Sequence, residues 1–320
     1  MGMVKFLRSA NFRVQSARIA AAMLAVCAAA FGAHSAGAAP ITLGTASDYG
    51  LLLGTNETLT VNGLSVAGNV GVSANDKINL SGNTSVGGTA YMGSGVTYSG
   101  GGSVAISGGT VTQSMTSIVS AAASASTSAG ALSATSGMVD QGGSISLNGS
   151  SVTIKALTNL SENVLDISAL SLTNGTLTFD DNGHTGAKFI INVTGAFSAT
   201  NAAVIKGING ASGADIIFNI EGTGTTVNLN GNASTSLIGT ILAPQRSVNL
   251  GGGGSLTGAL VAGVNNAGSS YTVNQSGSGY NITSLGYTAR TVNTPEPSSI
   301  AIFGAGMLAL AGIRRRLRRP

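Results

Sequence analysis

Of the 320 residues, one is cysteine, none is tryptophan and only 8% are charged. The single cysteine, Cys27, sits in an Ala-rich N-terminal run. A chain that loses that run keeps neither disulfides nor thiolate chemistry. Histidine is almost as scarce, because beyond residue 38 only His184 remains. That removes His-rich metal sites and weakens any catalytic triad. The formal charge of +4 comes from the two ends: nine of the fifteen basic residues are Lys5, Arg8, Arg13, Arg18 and five C-terminal arginines. Between Ala39 and Pro297, six basic residues face all eleven acidic ones, a formal −5. The interior therefore lacks the basic footprint of a nucleic-acid binder.

What is present begins with the ends. Basic residues without acidic ones precede an apolar run from Ile19 to about Phe31, and Ala36 and Ala38 follow as a small-x-small pair. This order predicts a secretory signal helix over 1–38, cut by signal peptidase before Ala39. An N-terminal helix of the folded domain is the alternative. At the other end, Pro295, Glu296 and Pro297 precede fourteen largely apolar residues from Ile300 to Ile313. Arg314, Arg315, Arg316, Arg318 and Arg319 follow. As a helix the apolar run would span about 21 Å, short of a ~30 Å hydrocarbon core. The arginines would hold its end in the cytoplasm. A plain single-span tail anchor is the competing reading. Triplet, short helix and arginine cluster together resemble the PEP-CTERM sorting signal, assigned here to 291–320. The resemblance implies a Gram-negative envelope, recognition by an exosortase and transient residence in the inner membrane. It also implies removal of the tail near Pro295–Pro297, release to the cell surface and an exopolysaccharide setting.

The stretch between, 39–290, reads as one mainly β domain. Short apolar pairs such as Ile78/Leu80, Ile145/Leu147, Leu170/Leu172, Val227/Leu229 and Val248/Leu250 alternate with Gly, Asn and Ser. That is the strand pattern, in strands too short for a large flat sheet. Clusters near Ile217, Ile238 and Ala259 recur about every 21 residues, with a weaker cluster between them, as solenoid coils would. An antiparallel sandwich also fits short strands. Over about 114–136, Met115, Ile118, Ala122, Ala125, Ala129 and Leu132 recur at helical spacing, with Ser114 and Gly137 as candidate caps. The expectation is a β-solenoid with one long α-helix alongside; a flexible Ala/Ser linker is the alternative for that stretch.

Ala187–Gly195, Ala214–Gly222, Leu237–Gln245 and Leu256–Gly263 resemble the choice-of-anchor A family of bacterial surface proteins. Leu43–Gly50 and Val66–Val72 resemble ice-binding-like solenoids, which share the Gly239–Ala243 run and carry a long helix. Both resemblances imply a helix-flanked solenoid on an exported protein. Tyr271–Tyr287 departs from the histidine and aromatic ending expected of them.

Candidate chemistry is sparse. Asp180, Asp181, Asn182, Gly183 and His184 could offer oxygens to calcium, although their spacing fits no calcium loop and suits an ordinary turn. Asp215 and Asn219 are placed on one strand face with Ile217, as a structural ladder. Glu162 and Asp166 could pair as acid and base on a polysaccharide, but no basic residue or aromatic platform accompanies them. No cofactor or metal is expected. The reading that follows is a non-catalytic structural or adhesive protein of the cell surface or extracellular matrix, with exopolysaccharide as partner. An ice-binding protein and a polysaccharide-active enzyme are the alternatives.

Overall fold

The computed structural model describes residues 40–159, 162–265, 269–277 and 279–289. Within them, short strands wind into a solenoid of three faces, and every pairing between strands is parallel. The antiparallel sandwich is thereby excluded. Chain reversals at all three corners use asparagines in the left-handed region, among them Asn56, Asn75, Asn174, Asn201, Asn182 and Asn209. Asparagine tolerates that conformation, which is why so many interrupt the apolar pairs.

Face A stacks Thr110–Thr112, Ala90–Met92, Asn69–Val72, Tyr49–Leu53, the second halves of Ser255–Ala262 and Ser236–Ala243, then Ile216–Ile220, Phe189–Val193 and Asn163–Ile167. Face B stacks Thr97–Ser99, Lys77–Leu80, Thr58–Val61, Thr272–Ser276, Val248–Gly251, Val227–Asn230, Phe197–Thr200, Ala169–Thr173 and Ser144–Asn148. Face C runs from Val104–Ile106 through Thr84–Val86, Ser65–Val66, Asn281–Ser284 and the first halves of the two long strands. It ends with Val204–Ile208, Thr176–Asp180 and Ser151–Lys155. Both long strands bend from face C to face A at a glycine. A Cβ on Gly258 would lie 1.9 Å from the Gly239 carbonyl oxygen, so the bend admits no side chain there.

Coil order in space is not coil order in sequence. Residues 49–112 form an N-terminal stack that winds toward one end. Helix α1 (Thr116–Gly130) then carries the chain back along face A, and residues 144–284 wind down from the other end. The last coil closes on the first: Leu260 pairs with Leu51, Val273 with Leu59, and Ile282 with Val66. Tyr271–Tyr287, which departs from the resembled ending, supplies two strands of this closing coil. The expected repeat of about 21 averages two unequal steps, because Ile217 pairs with Thr240 and Thr240 with Ala259.

Inward residues fill a continuous apolar lumen. A second core lies outside face A, where Leu52, Val164, Ile190, Ile217, Leu242 and Val261 meet Met115, Ile118, Ala122, Ala125 and Ala129 of α1. The expected helical stripe is thus the packed face. Its ends differ from expectation. Met115 is the N-cap and Ser114 supplies no capping bond; the helix stops at Gly130, not near Gly137. Gly130 lies against Glu221, and Thr135 then turns onto the sheet through bonds with Val164, so the chain leaves the helical path early.

Candidate functional site

The three faces differ in what they offer to a partner. Face A is covered by α1. Face C carries Lys155, Asp180 and Lys206 on its outer side, and the turn Gly213–Asp215 packs against it. Face B is open. Its strands alternate lumen-facing apolar residues with outward polar ones, and strand pairing brings the outward residues into columns.

The central column is continuous over all nine strands. In register it reads Ser146, Ser171, Ser198, Asn228, Asn249, Asn274, Thr60, Asn79 and Ser99. All nine side chains are exposed or half-buried. At about 4.8 Å per strand the column runs for about 38 Å. Flanking columns add Thr58, Thr97 and Thr272 on one side and Thr173, Thr200 and Asn230 on the other, and Lys77 is the one charge on these strands. The groups partly order one another: Ser99 donates to Asn79, Asn79 to Thr60 at 3.4 Å, and Thr173 and Thr200 share a bond of 3.3 Å. Each hydroxyl and amide retains donor or acceptor capacity for a partner.

The residues singled out from sequence lie elsewhere. Asp180 accepts from the Asn182 backbone N–H and from Asn209 Nδ2, both at 2.8 Å. The Asn209 bond is the main cause that holds its carboxyl below the usual range. Burial raises Asp181, and the nearby Asp215 raises it further. Asn182 and Gly183 have positive φ, and the His184 N–H donates to the Asp181 carbonyl, so 180–184 is a turn. Asp215 and Asn219 are separated. Asp215 caps a short turn through Ser212 and pairs with Lys188, whereas Asn219 lies beneath α1. There Asp166, Asn192 and Asn219 form a ladder, with Asn192 Nδ2 bonding Asp166 at 2.9 Å and Asn219 Nδ2 bonding Asn192 Oδ1 at 2.9 Å. Asn192 also donates to the Ala129 carbonyl and Asn219 to the Ser126 carbonyl at the end of the helix. Glu162 instead accepts from the Ile41 N–H. Glu162 lies just before the strand Asn163–Ile167, and its partner differs from that of Asp166, which accepts from Asn192. Ala36, Ala38, Pro295, Glu296, Pro297, Arg314, Arg315, Arg316, Arg318 and Arg319 lie outside the described residues, as do the expected signal and tail helices.

The sequence reading passed over the central column, although its signal was present. In Ile78/Leu80, Ile145/Leu147, Leu170/Leu172, Val227/Leu229 and Val248/Leu250, the residue between the two apolar ones is always Asn or Ser.

A family model described as "Putative Ice-binding-like adhesive domain" matches residues 29–272. A PEP-CTERM protein-sorting motif matches residues 293–316. Among solved structures, an ice binding protein from an Antarctic Biological Consortium is similar at 19% identity and a TM-score of 0.52. That match covers 78% of this chain and 93% of the other. An ice-binding protein from the Antarctic ascomycete Antarctomyces psychrotrophicus matches at 16% identity and a TM-score of 0.48, covering 77% and 99%. No curated protein matches the sequence.

Proposed function

From the premise that this chain belongs to the ice-binding-like adhesive domain family and carries a PEP-CTERM sorting motif, we propose that it is an exported, non-catalytic surface adhesin. Its contact surface is face B. The observation that carries this reading is the nine-strand column of Ser, Asn and Thr. A row of small neutral groups suits an extended, hydroxyl-rich polymer such as an exopolysaccharide. Each contact contributes little, and repetition along about 38 Å supplies the affinity. Processing fits the same role: cleavage after Ala38 frees the domain, and removal of the tail near Pro295–Pro297 by an exosortase releases it from the arginine-anchored segment.

Ice is the second reading. It is favoured by the hydroxyl-rich part of the face, where Ser144, Ser146, Ser171, Thr173, Ser198 and Thr200 project from three adjacent strands, with Asn148 and Ala169 beside them. The fold likeness to an ice binding protein adds to it. Asn79, Asn228, Asn230, Asn249, Asn274 and Lys77 make the rest of the face less uniform than a lattice would ask. The test replaces Asn228, Asn249 and Asn274 together by Leu. Co-sedimentation with the producing cell's polysaccharide is expected to fall, with an unchanged circular dichroism spectrum. Undiminished co-sedimentation would remove face B as the contact surface. Thermal hysteresis in the parent protein, lost when Ser146, Ser171 and Ser198 are replaced together by Leu, would replace polysaccharide by ice.

A further inference from the structure

The two ends of the solenoid are finished differently. Where residues 144–155 begin the long stack, Met138 is buried in the same apolar cluster as Ile145, Leu147 and Ile154, and Asp140 and Lys155 flank the end strands. The other end is the coil from Gly93 to Gln113. Among the described residues, its strands Thr97–Ser99, Val104–Ile106 and Thr110–Thr112 pair only with the preceding coil, so each keeps one edge unpaired there. Tyr98, Val104 and Val111 are 54%, 38% and 42% exposed. Neither proline nor any charged residue occurs between Lys77 and Asp140. Edge strands are ordinarily guarded by lysine, proline or a covering element. This edge has none of the first two, and α1 leaves it to run along face A.

The lumen opens at this end, lined by Val86, Met92, Tyr98, Val104 and Ile106 among others. It encloses about 40 Å³. A water's share of liquid is about 30 Å³, and small-molecule sites occupy about 300 Å³ or more. The enclosed space is far smaller than a small-molecule site.

We propose that this open end is a homotypic interface that a second copy of the chain covers end-on. Two observations favour another copy. First, the molecule already closes two open coil edges that are not adjacent in sequence, since the last coil docks on the first through the parallel pairs Leu260–Leu51, Val273–Leu59 and Ile282–Val66. Second, an uncharged apolar edge suits another uncharged apolar edge. The opposite end, plugged by Met138 and flanked by Asp140 and Lys155, does not provide one. A two-fold axis across the end sets the two terminal coils face to face with their edge strands antiparallel, and the assembly closes at two copies. The 21 residues from Gly93 to Gln113 are comparable to the ~20–30 that a standard interface uses per side.

Sedimentation of the exported protein is expected to show a dimer. Tyr98→Lys with Val104→Lys is expected to raise its dissociation constant at least about tenfold. Val139→Lys with Leu157→Lys, exposed at the far end, is expected to leave it unchanged. The absence of cysteine beyond Cys27 gives a readout that does not depend on those variants folding. Ser99→Cys is expected to form a disulfide with its own copy under mild oxidation, and Asn148→Cys is not. A parent protein monomeric up to millimolar concentration would overturn the proposal. So would association lost only in the far-end variant, or disulfides formed only between Ser99→Cys and Asn148→Cys chains, which are marks of head-to-tail stacking.

Discussion

The two stacks of the solenoid share one lumen and fill it in opposite ways. In the stack of residues 144–284, most strands have five residues, and Phe179, Phe189, Phe197 and Phe218 meet edge-to-face at centroid distances of 5.1–5.8 Å. In the stack of residues 49–112, strands shorten to three residues, coils shorten to about 20, and the lumen is lined mainly by Leu, Val and Ile around its void. The corner between faces A and B differs in the same sense. In the long stack, buried Arg246 donates to the carbonyls of Thr194, Gly195, Glu221, Gly222 and Thr225, tying three coils together. In the short stack, buried carboxylates do the joining: Asp76 accepts from the Glu57 and Ser73 N–H groups, and Glu57 from the Tyr271 N–H across the closing joint. A parallel solenoid thus tolerates a loosely filled region when a well-filled one is continuous with it, because each coil is stabilised mainly by its neighbours.

The largest expected effect tests the filled stack. Phe218→Ala removes a ring that packs against two others and is expected to cost about 3–5 kcal/mol in chemical denaturation. A cost below about 1 kcal/mol would erase the contrast between the stacks. An intermediate effect concerns the joint. Burial pushes the Asp76 carboxyl up to about 7 from its ordinary 3.8, against the N–H bonds that lower it. The folded chain therefore holds this proton more tightly than the unfolded one. Its contribution to stability is complete below about pH 4 and is lost as pH rises toward 7. Hydrogen exchange of the Glu57 and Tyr271 amides is expected to accelerate over that interval, and Asp76→Asn to flatten the dependence. The smallest effect tests the void: Val86→Ile adds one methylene beside it and is expected to stabilise by up to about 0.8 kcal/mol. A destabilised variant would mean that the short stack is already full.

Much of this architecture was legible because it is local. Period-two pairs such as Val227/Leu229 gave strands, and Ile118, Ala122, Ala125 and Ala129 gave the packed side of α1. The sidedness of Ile217 was a harder matter. Ile216, Phe218 and Ile220 face the lumen, whereas Ile217 faces α1. Face A is buried on both sides, so hydrophobicity alone could not say which alternate residue points inward. Coil order was invisible for another reason. Leu51 meets Leu260 because two exposed edges close on each other, a long-range choice that no local pattern encodes. The face B column depended on the same choice, since Asn274 and Thr60 become neighbours only at that joint.

That joint also decides where the chain leaves the rod. Because the last coil lies mid-rod, the chain departs from the middle of its length, and the sorting motif begins only four residues past Ala289. The Leu285 N–H bonds the Gly258 carbonyl and the Thr288 N–H the Ala214 carbonyl, which fixes the point of departure at the corner between faces C and A. In a three-sided rod this corner is opposite face B. Whatever continues the chain beyond Ala289 therefore departs on the side away from the polar columns, like a stem that joins a crossbar between its two tips.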